Sequence, residues 1–123
     1  MSAGRLLVVA VFVAILAACG GGLANAKGDY KKGRYADAKT ELVALEEESQ
    51  RWTGVRRAEY ALYRGLVHQA LGDRGSAGVW LREAKAIEDA HPHTLTSDDR
   101  SRLDLALDAL GAPGPSAPSA PGP

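Results

Sequence analysis

One cysteine in 123 residues leaves Cys19 without a partner for an intramolecular disulfide and without a second thiol for a zinc site. Charge of one sign is also missing. Lys and Arg total 15 and Asp and Glu total 15, so the chain carries no basic footprint of the kind that holds nucleic acid. No glycine-rich phosphate loop, dinucleotide signature or pair of buried carboxylates is present. The histidines do not supply catalysis either. His68 sits in the apolar context "GLVHQAL" and is expected to be a partly buried helix residue. His91 and His93 flank Pro92, which breaks the helical spacing that would let them converge with Asp89 on a metal. These absences exclude the common enzyme signatures, and no catalytic residue, metal, cofactor or small-molecule substrate is expected. The longest apolar run, Leu6 to Ala18, is shorter than the roughly 20 residues a helix needs to cross a bilayer.

That run follows a single basic residue, Arg5, and ends in small residues, the pattern of a secretory signal over residues 1–18. Its last residues, "LAAC", Leu16 to Cys19, resemble the lipobox of bacterial lipoproteins. The resemblance implies that Cys19 receives lipid, as a thioether and acyl chains such as palmitate, and becomes the first mature residue. Gly20, Gly21 and Gly22 then give a flexible tether over 19–26. A competing site is "ANA", Ala24 to Ala26, where an ordinary signal peptidase would release a soluble protein beginning at Lys27. Gly20 lacks the aspartate that retains lipoproteins in the inner membrane, so the outer membrane facing the periplasm is the expected location.

The opposite end, "GAPGPSAPSAPGP" over 111–123, consists of Gly, Ala, Pro and Ser alone. It has almost no apolar area to bury and few backbone donors, and is expected to be an extended, solvated tail.

Between these ends, residues 27–110 carry helical periodicity and no strand-like alternation, which gives an all-α fold class. Tyr35, Ala38, Leu42, Leu45 and Trp52 form one stripe, opposite a solvated surface with Lys39, Glu41 and the run Glu46 to Glu48. Trp52, Thr53 and Gly54 interrupt it. The pattern resumes with Val55, Ala58, Leu62, Leu66 and Ala70 up to Gly72. Ala77, Trp80, Leu81, Ala84 and Ile87 mark a fourth helix. A fifth opens at Thr96, a capping hydroxyl with Asp98 and Asp99 at the positive end of the dipole. Its core face is Leu103, Ala106, Leu107 and Leu110.

"YKKGRYADA", Tyr30 to Ala38, and "QALGDRGSA", Gln69 to Ala77, both pass from helix through a glycine turn into helix, with a small residue five positions after the glycine. They resemble the tetratricopeptide repeat, in which antiparallel helix pairs stack through small residues. Gly33 and Gly72 match the turn glycine, Ala38 and Ala77 the small residue of the second helix, and Leu42 and Leu81 the bulky site after it. Gly65 and Ala26 match the small residue of the first helix, and Tyr35 the aromatic past the turn. Arg74 departs from that aromatic, Leu45 replaces a small residue that Ala84 keeps, and Pro92 only approaches the place of the terminal proline. The distance between the turn glycines exceeds the usual period of about 34 by several residues. A plain bundle of helical hairpins is the alternative architecture.

The resemblance implies a stack of about five helices, the last a cap, with the first helix of each pair lining a groove. Lys27, Tyr30, Lys31, Glu59, Leu62, Leu66 and Gln69 fall on those lining positions. Their mixture of apolar and charged groups suits a protein or peptide partner of the cell envelope. The alternatives are that Leu62 and Leu66 are core beneath the final helix, and that the protein is an accessory subunit of an envelope complex using its helices as packing surface. Lys27, Lys31, Lys32, Arg34 and Lys39 outnumber Asp29 and Asp37 close to Cys19, and are expected either to meet anionic headgroups or to be a solvated face.

Overall fold

The two glycine turns anticipated from sequence are the same structure made twice. In a computed structural model, which describes residues 21–112, Gly33 has φ 79° and Gly72 has φ 84°. The amide of Gly33 donates to the Tyr30 carbonyl and that of Arg34 to Asp29; Gly72 donates to Gln69 and Asp73 to His68. This pair of bonds satisfies carbonyls that a helix end leaves orphaned, and it requires a left-handed residue that glycine adopts without steric cost.

Around these turns the described residues form α1 (Gly22–Lys31), α2 (Tyr35–Ala44), α3 (Glu46–Ser49), α4 (Gly54–Ala70), α5 (Arg74–Ala90) and α6 (Ser97–Gly111), with no strand among them. The protein is all-α, a stack of antiparallel hairpins. Residue pairings fix the directions. Lys27 meets Glu59 and Tyr30 meets Tyr63, so α1 and α4 run parallel. Tyr63 meets Asp99 and Gln69 meets Ala106, so α6 runs with them, while α2 and α5 return.

α4 is the central helix. From Ala58 to His68 every residue but Glu59 is buried, because α1, α2, α5 and α6 all pack on it. The stripe Val55, Ala58, Leu62, Leu66, Ala70 therefore captured only part of its core: Val55 and Ala70 are exposed, whereas Tyr60, Tyr63 and Val67 are fully buried. Each tyrosine offsets the cost of burying a hydroxyl by donating to an acceptor. Tyr60 donates to the Leu42 carbonyl at 2.8 Å, and Tyr63 to Asp99 Oδ1 at 2.8 Å. The α4–α5 contact is closest at Gly65, where an added Cβ would lie 2.6 Å from Leu81 Cγ and 3.1 Å from its backbone nitrogen.

Two boundaries are corrected, and the expected stack of about five helices has six among the described residues, because the expected second helix breaks at Leu45. That residue ends α2, and its side chain turns inward to the start of α1, where a Cβ on Gly22 would meet Leu45 at 3.1 Å. The domain starts at Gly22 and not at Lys27: Gly22 to Ala26 are helical, Leu23 packs on the core and Ala26 is fully buried, so this stretch is no tether. The tail begins later than Gly111, which is the last residue of α6. The signal segment, Cys19, Gly20 and residues 113–123 lie outside the described residues.

The final helix follows its sequence cues. Thr96 Oγ1 accepts the Asp99 amide at 3.2 Å, and Leu103 and Ala106 are buried with Leu107 and Leu110 packed alongside. Arg74, the position that departs from the repeat pattern, closes the far end of the same helix. Its Nη2 donates to the carbonyls of Leu110 at 2.7 Å and Ala112 at 3.1 Å, and so caps α6.

Candidate functional site

The seven residues expected to line one groove are divided by α6. Leu62 and Leu66 are buried, at 0% and 4% exposure, in the seam where α4 is enclosed by its neighbours. Leu62 is core, the alternative open to it from sequence, whereas Leu66, though buried, still forms part of the lining of a cleft. Gln69 donates from Nε2 to the Ala106 carbonyl at 2.9 Å and so ties α4 to α6. Lys31 is exposed on the last turn of α1 and lines neither of the clefts described next.

Two open clefts remain on this side of the molecule. The first, about 220 Å³, lies between α1 and α6 over the end of α4 and is lined by Tyr30, Leu66, Gln69, Arg102, Leu105 and Ala106. Its walls are fixed by packing. The Tyr30 ring sits 5.5 Å from Tyr35 and edge-on to Tyr63 at 5.6 Å, and burial, then Tyr35, pushes its phenol pKa up. Arg102 is held by Asp99 at 2.9 Å, and Asp99 also takes the Tyr63 hydroxyl. Leu105 stands out at 70% exposure. An apolar side chain, an aromatic edge, an amide and a guanidinium thus converge on one open surface. The second cleft, about 400 Å³, lies between the first turns of α1 and α4 and is lined by Leu23, Ala24, Lys27, Arg56 and Glu59. Lys27 Nζ and Glu59 Oε2 pair across it at 3.0 Å.

Sequence reasoning missed Arg102 and Leu105. The signal for Leu105 was present in "LDLALDAL", which contains one more leucine than a single helical face can bury. The signal for Arg102 was not, since its place at the cleft depends on Asp99 being anchored by Tyr63, a partner 36 residues away.

Several buried titratable groups are used in packing. Arg64, in the middle of α4, donates to the Tyr60 hydroxyl at 2.8 Å and to His68 Nε2 at 3.2 Å, and lies 4.9 Å from the Trp80 ring and 3.6 Å from Glu46. Burial, followed by the Arg64 charge, lowers the His68 pKa, although Asp73 at 3.7 Å opposes this. His68 is therefore a neutral acceptor inside the stack. Glu88 accepts the amides of His93 and Leu95, holding the loop in which His93 adopts φ 68°. Among the described residues no group of three His, Cys, Asp or Glu side chains could hold a metal ion, and no helix is long and apolar enough to cross a membrane.

No protein-family model, curated protein or solved structure matches this chain.

Proposed function

We propose that this protein is a lipid-anchored, non-catalytic scaffold of the bacterial envelope, built as a degenerate tetratricopeptide-like stack, that binds a protein segment in the cleft between α1 and α6. The observation that carries the reading is Leu105. A leucine at 70% exposure beside Tyr30, Gln69 and Arg102 is an apolar anchor with polar groups at its rim, the composition of a peptide-docking surface. The repeat resemblance is supported by the two identical glycine turns and by the burial of Ala26, Ala38, Gly65 and Ala77, the small residues through which such hairpins stack.

Processing at Cys19 is favoured over cleavage after Ala26 on structural grounds. A cut after Ala26 would remove half of α1, including Leu23 from the core and the fully buried Ala26 itself, and would also take away the start of the helix that carries Tyr30. A cut before Cys19 leaves the whole of α1 in the mature chain.

Capture of partners from native membranes tests the function. The wild-type protein is expected to retain an envelope protein that Leu105→Asp and Leu105→Ser lose, while both variants melt like wild type, the side chain being 70% exposed. Retention unaffected by either change would dismiss the cleft. Val79, 60% exposed on the return helix α5, favours the second reading, an accessory subunit packing through its outer helices; a partner lost on Val79→Asp and kept on Leu105→Asp would establish it.

A further inference from the structure

The anchor and the fold meet at one end of the molecule. Gly22, where α1 starts, is three residues after Cys19, so a lipid on Cys19 sits within about 11 Å of chain from the first turn of the bundle. That first turn has identifiable neighbours. Leu45 packs against Gly22, and Leu23 and Ala24 share the second cleft with Arg56 from the first turn of α4. Arg56 makes no hydrogen bond or ion pair among the described residues; its guanidinium lies 3.9 Å from the ring centre of Trp52, which is half-buried in the loop before α4. Val55 beside it is 53% exposed, and Arg51 is exposed. The anchored end therefore presents a tryptophan, an aliphatic side chain and two arginines that have no carboxylate partner among the described residues, with the exposed Glu47 and Glu48 of α3 nearby. This is the residue chemistry of a membrane interface, where an indole settles at headgroup level and an arginine buries its stem while its charge reaches a phosphate.

Resting on the lipid-anchor reading, we infer that the tip formed by Leu23, Trp52, Val55 and Arg56 is seated on the phospholipid headgroups of the membrane that holds Cys19, with the bundle standing upright on it. The occupant is the bilayer surface, because the tether is too short to hold this tip away from it. The basic residues Lys31, Lys32 and Arg34 are then not the membrane contact. They lie at or beyond the far end of the ten-residue α1, about 15 Å from its start, whereas a headgroup layer is only about 5–8 Å deep. Reaching it would require the α1–α2 hairpin to lie flat and would bring the exposed Asp37 down with them. Upright seating also has a consequence for binding: Tyr30 and Gln69 belong to the last turns of α1 and α4, so the α1–α6 cleft is held away from the bilayer.

The test uses the full-length lipidated protein. An acylated Cys19 has no free thiol, so the single substitutions Val55→Cys and Lys32→Cys each provide one labelling site, both on exposed positions. An environment-sensitive fluorophore at each is read in vesicles of phosphatidylethanolamine and phosphatidylglycerol carrying a headgroup-level quencher. Position 55 is expected to shift to the blue and lose emission to the quencher, while position 32 keeps its aqueous emission. With lipid on Cys19 verified by intact mass, an aqueous position 55, or a quenched position 32, overturns the upright seating and leaves the anchor reading in place. A mature chain without lipid mass at Cys19 removes both.

Discussion

The first hairpin, α1 and α2, and the second, α4 and α5, are turned by the same glycine bonds yet packed differently. Both helices of the first are ten residues long and the return helix breaks at Leu45; both helices of the second are seventeen residues long and unbroken. Local sequence differs at one place: the turn glycines match, as do Ala38 and Ala77, but Leu45 stands where the second pair keeps Ala84, and α2 ends there. Position in the stack differs as well. α4 is covered on every side, and Gly65 lets α5 approach so closely that no Cβ fits between them. α1 has neighbours on one side only, and at Gly28 an added Cβ meets nothing within 4 Å. An equivalent helix is thus a core rod in one hairpin and a half-exposed edge in the other.

The largest expected contrast comes from truncating apolar residues. Leu62→Ala and Leu66→Ala in α4 should each cost about 2–5 kcal/mol in thermal or denaturant unfolding, because a fully enclosed site cannot collapse around the cavity. Tyr30→Ala in α1, removed from a half-exposed position, should cost distinctly less; equal losses would erase the distinction between core rod and edge.

Glycine replacement sharpens the contrast by reversing its sign. Gly65→Ala should destabilise by roughly 1–3 kcal/mol as Leu81 and its backbone are forced apart. Gly28→Ala, inside a helix with open space around it, should stabilise by about 0.5–1 kcal/mol. Denaturant midpoints of the two single variants check this, and a stabilising Gly65→Ala would mean that the α4–α5 seam is looser than its geometry.

Gly33→Ala and Gly72→Ala probe what the hairpins share. Both residues are left-handed and neither has a crowding neighbour, so the two changes should cost a similar amount, roughly 1–2 kcal/mol. A much larger loss at Gly72 than at Gly33 in matched melts would show that the turns are not equivalent.

The smallest effect is a pH dependence confined to the second hairpin. The folded pKa of His68 is depressed below 6.5, first by burial and then by Arg64. As pH falls, the unfolded chain takes up this proton before the folded one does. Its contribution to stability is therefore complete above about pH 6.5 and declines below it. Wild type should lose melting temperature between about pH 7.5 and 5.5, with less of that loss in His68→Gln; identical slopes would assign the titration elsewhere.

Much of the architecture was legible because its cues are local. A turn glycine, a threonine cap and a three-four apolar spacing act within a few residues, and the structure carries each of them at Gly33, Gly72, Thr96 and along α5. The start of α1 was not legible, because the glycines and alanines of "GGLANA" fit a tether and a peptidase site as well as a helix; only the core contact of Leu23 and the burial of Ala26 separate these. The candidate site was legible in part: Tyr30, Leu66 and Gln69 line the cleft, whereas Leu62 is covered by packing between helices far apart in the chain.

The sequence by itself determined an all-helical chain, its two glycine-turned hairpins, a capped last helix and a single cysteine at the end of an apolar run, since each depends on neighbours a turn or less away. Tertiary structure alone decided that α4 is enclosed, that Arg74 caps α6 and that Leu105 is left in the open. Those outcomes depend on which helix lies against which, and helical periodicity marks an apolar face without saying how many neighbours will arrive to cover it.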